Sequence, residues 1–409
     1  MKHELRYPAL SDLKAACRRR MPWFVWEYLD SATGTEAVKP RNRAALDAVL
    51  LCPAVLRGEI APELATDLLG QRHAMPVGIA PVGMSGLFWP GAEEILARSA
   101  AEAGLPYCLS TVASRLPEEI GPLAGEMGWF QLYPPRDAAI RRDLVARARA
   151  SGFRVLVLTV DVPAPSRRER QLRARLTIPP RLTPGMLAQV ALRPAWALGM
   201  LRRGRPRLKL MEEYLKTDGP TGSTAHAGYL LRCNPDWDYL RALRDEWDGP
   251  LVVKGVMAGA DAARLRAEGV DAVWVSNHGG RQFDGAPASL AALPGVRAAV
   301  GPDYPLIFDG GVEGGLDILR ALALGADFVM LGRAWHMALG ALGAEGPAHL
   351  AALLQADLVA NMLQLGIARP AEAASRLWSP AGPEDAAPTV QAPADPDAPV
   401  QPVRGTASP

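Results

Sequence analysis

The chain has 409 residues, 49% of them hydrophobic, and a formal net charge of only +2. That composition permits a large buried core and gives no overall field for an acidic partner, which excludes attachment to nucleic acid through bulk charge. The four cysteines, Cys17, Cys52, Cys108 and Cys233, form no CxxC pair. They fit reduced thiols in a cytoplasmic protein and give no ground for a disulfide framework or a metal site.

The opening stretch MKHELRYPALSDLKAACRRR is charged throughout and lacks an apolar run, so no secretory signal is expected. Residues 9–50 read as helices: SDLKAACRRR, then PWFVWEYLDSA with proline at a first helical position. Two placements stay open for them, across the closed end of the following domain or toward its mouth. The longest uncharged stretch, Ala74 to Ala92, is broken by three prolines and several glycines and does not read as a spanning helix.

Eight short β-rich runs follow: residues 75–81, 106–111, 128–133, 155–161, 251–256, 272–277, 306–311 and 328–333. Between most of them lie stretches of helical spacing, such as AEEILARSAAEAG and GLDILRALALG, closing on a glycine suited to a helix C-terminus. Strand and helix in alternation give parallel pairing with right-handed crossovers, and strands apolar along their whole length belong to a sheet covered on both faces. The reading is α/β, a (β/α)8 TIM barrel rather than an open doubly wound sheet, with its strands between about residues 75 and 333 of one domain, 1–378. Barrels of this kind build sites from the C-terminal ends of their strands. Here those ends carry Ser110, Gln131, Tyr133, Thr159, Asp161, Lys254, Ser276, His278, Arg281, Asp309 and Arg333.

A long insertion, about residues 165–235, interrupts the pattern after the fourth run. Between Glu169 and Glu212 there is no carboxylate, while Arg173, Arg175, Arg181, Arg193, Arg202, Arg203, Arg205, Arg207 and Lys209 accumulate. Met186, Leu187, Val190, Leu192, Trp196, Leu198, Met200 and Leu201 are interleaved with them. A basic, apolar segment with an aromatic anchor can lie in the interface of an anionic bilayer, on the inner face of the cell membrane. A solvated lid and an oligomer contact are the bland alternatives, and no nucleic-acid module accompanies the arginines.

Later, the turn VSNHGGRQFDG sets His278 three residues before Arg281, and Arg168 stands in a second basic cluster. Paired guanidinium forks beside a histidine suit an anionic organic acid held near a base, and Asp161 close by would raise the histidine pKa. The seventh and eighth runs end in DGGVEGG and LGR, each opening into a helix, which is where barrels commonly bind phosphate. From about Ser379 to Pro409 the chain is rich in proline and alanine and reads as a disordered tail.

In this order FQLY, LTVDVP, VVKGV, SNHGGRQFDG, DGGV and LGR resemble the FMN-dependent 2-hydroxy acid dehydrogenases and oxidases: glycolate oxidase, L-lactate dehydrogenase and mandelate dehydrogenase. The resemblance spans roughly residues 9–370 and implies oxidation of a 2-hydroxy acid to the 2-oxo acid. It implies His278 as base with Asp161 as its partner, Arg168 and Arg281 as the carboxylate clamp, and Tyr133 and Tyr28 as hydroxyls on the substrate oxygens. For FMN it implies Lys254 beside the flavin N1 and O2, and Ser110, Gln131 and Thr159 at the ring. Ala80, Pro81, Val82, Ser276, Asp309 and Gly310 complete the flavin site, with Gly311, Gly332 and Arg333 at the phosphate. The insertion resembles the membrane-docking loop of bacterial lactate and mandelate dehydrogenases, which implies a quinone as electron acceptor, with oxygen as the alternative. Relatives are commonly homotetramers.

GMSGLFWPGAE resembles mandelate dehydrogenase, and Val112 stands where glycolate oxidases carry a bulky ring; both imply an (S)-2-hydroxy acid with a medium or aromatic side chain, or lactate. Three residues depart from the family pattern. Glu313 replaces an arginine near the phosphate, where a carboxylate repels unless turned to solvent, and Gln171 and Ala32 replace an acidic residue and a glycine. An FMN-barrel isomerase and a non-catalytic flavin-binding relative are the rival readings.

Overall fold

The computed structural model describes residues 3–174, 183–214 and 232–379. A hairpin, β1 (Thr66–Leu68) and β2 (Gln71–His73), precedes the sheet. The strands β3 (Val77–Ile79), β4 (Tyr107–Ser110), β5 (Gly128–Leu132), β6 (Val155–Thr159), β7 (Leu251–Val256), β8 (Ala272–Val275), β9 (Leu306–Phe308) and β10 (Phe328–Leu331) close into a parallel barrel in which β10 pairs with both β9 and β3. Each sits where an apolar run was expected, and all but β7, which spans its whole run, are shorter than that run. The polar residue at the C-terminal end of several runs, such as Tyr133, Asp161, Asp309 and Arg333, leaves the ladder and enters the mouth.

Large side chains fill the barrel: Trp129, Val157, Val252, Trp274, Ile307, Phe328 and Met330 form one buried layer, and Leu68 of the hairpin packs with them. The hairpin therefore closes the N-terminal end, a part of the fold the sequence reading did not contain. Helices wrap the outside. The only helical stretch long and apolar enough to cross a membrane among the described residues, Arg333–Leu365, has 61% of its apolar window buried against this outer layer.

The N-terminal helices settle at the mouth as well as the flank. α1 (Leu10–Arg20) lies on the helix Arg333–Leu342, where Arg20 Nε donates to the Gly340 carbonyl at 3.1 Å. α2 (Trp23–Asp30) and α3 (Val38–Asp47) reach the rim, where Tyr28, Asp30, Lys39 and Asn42 line a cavity.

Of the insertion, the described parts form short helices, Pro184–Ala191 and Pro194–Arg203 among them. One expectation is corrected here. Trp196 is not a lipid anchor: it is 6% exposed, its ring meets Phe24 edge to face, and its Nε1 donates to the Leu87 carbonyl at 3.0 Å. An indole with its N–H satisfied inside the protein fastens the insertion to the barrel. Leu187, Leu192, Leu198 and Leu201 are left exposed. Arg175, Arg181 and the expected tail from residue 380 lie outside the described residues.

Candidate active site

A cavity of about 760 Å³ opens at the C-terminal ends of the strands. Its wall includes Tyr28, Ala80, Pro81, Val82, Tyr133, Arg168, Lys254, His278, Arg281, Asp309, Gly310, Gly311, Gly332 and Arg333. Ser110, Gln131, Thr159 and Ser276 are buried by the strand ends behind that wall, and Asp161, half-buried, stands next to it against His278.

His278 follows β8 with a positive φ of 57°, uncommon for a residue with a side chain, and its N–H donates to Ser276 Oγ at 3.0 Å. Its Nδ1 lies 2.9 and 3.1 Å from the two oxygens of Asp161. A carboxylate only accepts, so Nδ1 carries the proton and Nε2 is left as the acceptor. Burial works to raise the Asp161 carboxyl, but the His278 imidazole and the Lys254 ammonium outweigh it and hold Asp161 below its ordinary value.

Asp161 does work to raise the histidine, as expected, but burial is the larger influence and, assisted by the charges of Lys254 and Arg168, holds His278 below its ordinary 6.5. That direction favours the neutral imidazole, the form that can take a proton. Gly255, in a bulge of β7 at φ 103°, lets Asp161 approach, since a Cβ there would stand 2.5 Å from the Asp161 Cβ.

On one side of His278 two guanidinium groups converge. Arg168 Nε donates to the Arg281 carbonyl at 3.3 Å, and Arg281 Nη1 donates to the Ser31 carbonyl at 2.8 Å. Burial first, then the Arg168 charge, push Arg281 down to about 9. A buried guanidinium under that stress, with a second one beside it, forms a site that an organic anion relieves. Tyr28 stacks on Phe88 and faces the Arg281 guanidinium, while Tyr133 lies under Arg232, whose guanidinium is 4.4 Å from the ring centroid. Met84, Phe88, Val112, Val162 and Leu208 supply an apolar wall.

Deeper in the mouth, Lys254 Nζ is 2.9 Å from Asp309 Oδ2 and donates to Ser276 Oγ at 2.6 Å; Ser276 in turn donates to Asp309 Oδ1. Gln131 spends its Oε1 on the Ser110 hydroxyl, but Gln131 Nε2 and Thr159 Oγ1 are buried without any hydrogen-bond partner. Unpaired buried polar groups cost on the order of 1–3 kcal/mol each, so this floor suits a polar ligand that would pair them. At the far end Gly310 and Gly311 take positive φ values of 133° and 82°, and added Cβ atoms would meet Ser289 and Asn42. Arg333 Nη2 donates to the Gly279 carbonyl at 3.0 Å, and Glu313 at the rim is exposed to solvent, the orientation its charge requires.

Sequence reasoning missed several residues here. Arg170 bridges Glu27, Asp30 and Glu36 and locks the insertion to α2, and Arg232 enters the cavity from the C-terminal end of the insertion. Neither has a local signature; WEYLD and TEAVKP show the carboxylates only as helix surface. Gln171 Nε2 donates to Ser31 Oγ at 3.0 Å, which gives the altered residue a structural bond.

The family model for FMN-dependent dehydrogenases matches residues 17–380. An L-lactate dehydrogenase of Caulobacter vibrioides is 39% identical over 360 residues, 87% of this chain and 94% of that one. An L-lactate dehydrogenase of Ectopseudomonas mendocina is 37% identical over 373 residues, 90% and 98% of the two chains. Among solved structures, the monotopic membrane protein (S)-mandelate dehydrogenase superposes with a TM-score of 0.82 at 33% identity, covering 89% of this chain and 96% of its own. A mandelate oxidase gives 0.75 at 34% identity, covering 90% and 97%.

Proposed function

As the chain belongs to the FMN-dependent dehydrogenase family, we propose that this oxidoreductase takes an (S)-2-hydroxy acid with an apolar side chain, lactate or an aromatic relative, to the 2-oxo acid. The observation that carries the reading is the convergence of an Asp161-bound His278 with Arg168 and Arg281 in one cavity.

FMN fits the residues present. The orphaned Gln131 Nε2 and Thr159 Oγ1 suit the polar edge of the flavin ring, with Ser110 behind them and Ala80, Pro81 and Val82 against the ring. Lys254, held by Ser276 and Asp309, would set a positive charge beside the ring, and Gly310, Gly311, Gly332 and Arg333 would hold the phosphate. When bound, FMN accepts the two electrons that the substrate gives up.

The protein's own part is positioning and proton transfer. Arg168 and Arg281 take the substrate carboxylate in charge-assisted hydrogen bonds, and the Tyr28 and Tyr133 hydroxyls bond its oxygens. His278 accepts a substrate proton at Nε2, and Asp161 stabilises the imidazolium through Nδ1. The apolar wall of Met84, Phe88 and Val112 leaves room for a side chain larger than hydrogen.

The insertion's exposed leucines and arginines support a peripheral membrane contact and, with it, a quinone as electron acceptor; assembly as a homotetramer belongs to the same reading. Anaerobic addition of glycolate, (S)-lactate, (S)-2-hydroxy long-chain acids and (S)-mandelate, followed by steady-state rates on each, tests it. Bleaching of the yellow protein with a preference for the larger acids is expected. A clear preference for glycolate would overturn the pocket argument, and no bleaching with any of them would overturn the function.

A further inference from the structure

The phosphate end of the cavity lacks charge from the places that would ordinarily supply it. Glu313 brings a carboxylate to the loop after β9. The helix Gly315–Ala323 begins beside that loop, but its start is already engaged: Asp357 accepts from the N–H groups of Gly315 and Leu316, and Asp317 accepts from that of Glu313 at 2.9 Å. A helix terminus facing two carboxylates adds little attraction for another anion. Arg43 donates to the Gly311 carbonyl at 3.2 Å, yet its guanidinium is bound by Asp317 and Asp47.

Two of the cations that line the cavity meet at one point of its wall. Arg333 follows β10, and Lys39 projects from α3, an element far away in sequence. Lys39 Nζ donates to the Asp30 carbonyl at 2.7 Å, and Arg333 Nη1 approaches the same oxygen at 3.4 Å. The two heads thus share one acceptor on the cavity wall. Lys39 also neighbours the Asp30 and Glu36 carboxylates, but Arg170 binds both of these, so Lys39 is not their sole counter-ion. Its ammonium can turn toward a phosphate without leaving either carboxylate unpaired.

We propose that Lys39 and Arg333 together hold the FMN phosphate, with Lys39 supplying from α3 the charge that position 313 does not provide. The inference rests on the FMN reading of the cavity. Full-length protein loaded with FMN, and the same protein loaded with riboflavin, which lacks the phosphate, are diluted, and flavin release is followed by fluorescence for wild type, Lys39→Ala and Lys39→Arg. Lys39→Ala is expected to release FMN about tenfold more readily or beyond, the loss of one charge-assisted hydrogen bond. Its riboflavin release stays at the wild-type level, and Lys39→Arg restores most of the FMN retention. Unchanged FMN release in Lys39→Ala would overturn the proposal, and so would an equal loss of both flavins, which marks a structural role. A wild-type protein that retains neither flavin overturns the cofactor reading itself.

Discussion

His278 is held in a left-handed backbone conformation whose cost, of order 1–3 kcal/mol for a residue with a side chain, is met by the Ser276 hydroxyl and by the bond to Asp161. That strain aims Nε2 into the cavity rather than along the strand. His278→Asn is expected to lower kcat by about 10²–10⁴-fold while the purified protein stays yellow, as removal of a general base should. The pH dependence has a definite sign. A base must be unprotonated, and burial sets His278 below 6.5, so kcat/KM rises with pH and reaches half its plateau below that value. Asp161→Asn removes the one strong influence that raises the imidazole, so the acid limb moves lower still while the plateau falls. A limb that moved up in a pH–rate profile of this variant would contradict the assignment of Asp161. Arg281→Met takes away one charged partner of the substrate carboxylate and is expected to cost about 10–100-fold in kcat/KM, most of it as a higher KM.

At the scale of elements, the bulge in β7 is where fold and chemistry meet. Gly255→Ala would place a Cβ against Asp161 at a φ that side chains rarely adopt. Stability is expected to drop by about 1–3 kcal/mol in a denaturant titration, and kcat to fall more than KM rises, because the displaced carboxylate no longer orients His278. If kcat moved in step with stability alone, the bulge would be only structural. This element also shows what a sequence discloses. VVKGV is readable as a buried strand because parallel strands covered on both faces are apolar throughout. Its glycine is readable only as a break, since the reason for it lies just past the end of β6, nearly a hundred residues earlier in the chain. The same holds for TDL and QRH, too short and too polar to show the alternation of a hairpin, and for Arg170 and Lys39, whose partners are chosen by how α2 and α3 dock. His278 and Arg281 were legible because they stand in a turn at a strand end that packing alone does not explain, and Lys254 because it is a charge within an otherwise apolar strand. The pKa direction of His278 was not, because it depends on how deeply the ring is buried.

Across the whole molecule, positive charge is concentrated while the total stays near neutrality. The net charge is only +2, yet the insertion presents exposed Arg202 and Arg205 beside exposed Leu187, Leu192, Leu198 and Leu201. With Trp196 buried, these leucines and arginines are what the described part of the insertion offers a bilayer. Burying a leucine stabilises by about 1.5–3 kcal/mol, and an arginine near an anionic surface adds about 1 kcal/mol. The protein is therefore expected to float with vesicles rich in anionic lipid, less well with neutral ones, and less again in high salt. Leu198→Asp with Leu201→Asp should abolish flotation and leave the rate with a soluble electron acceptor unchanged, because neither residue lines the cavity. Loss of that rate together with flotation would instead mark the insertion as part of the active-site cover, and unchanged flotation would leave it as a contact between copies of the chain.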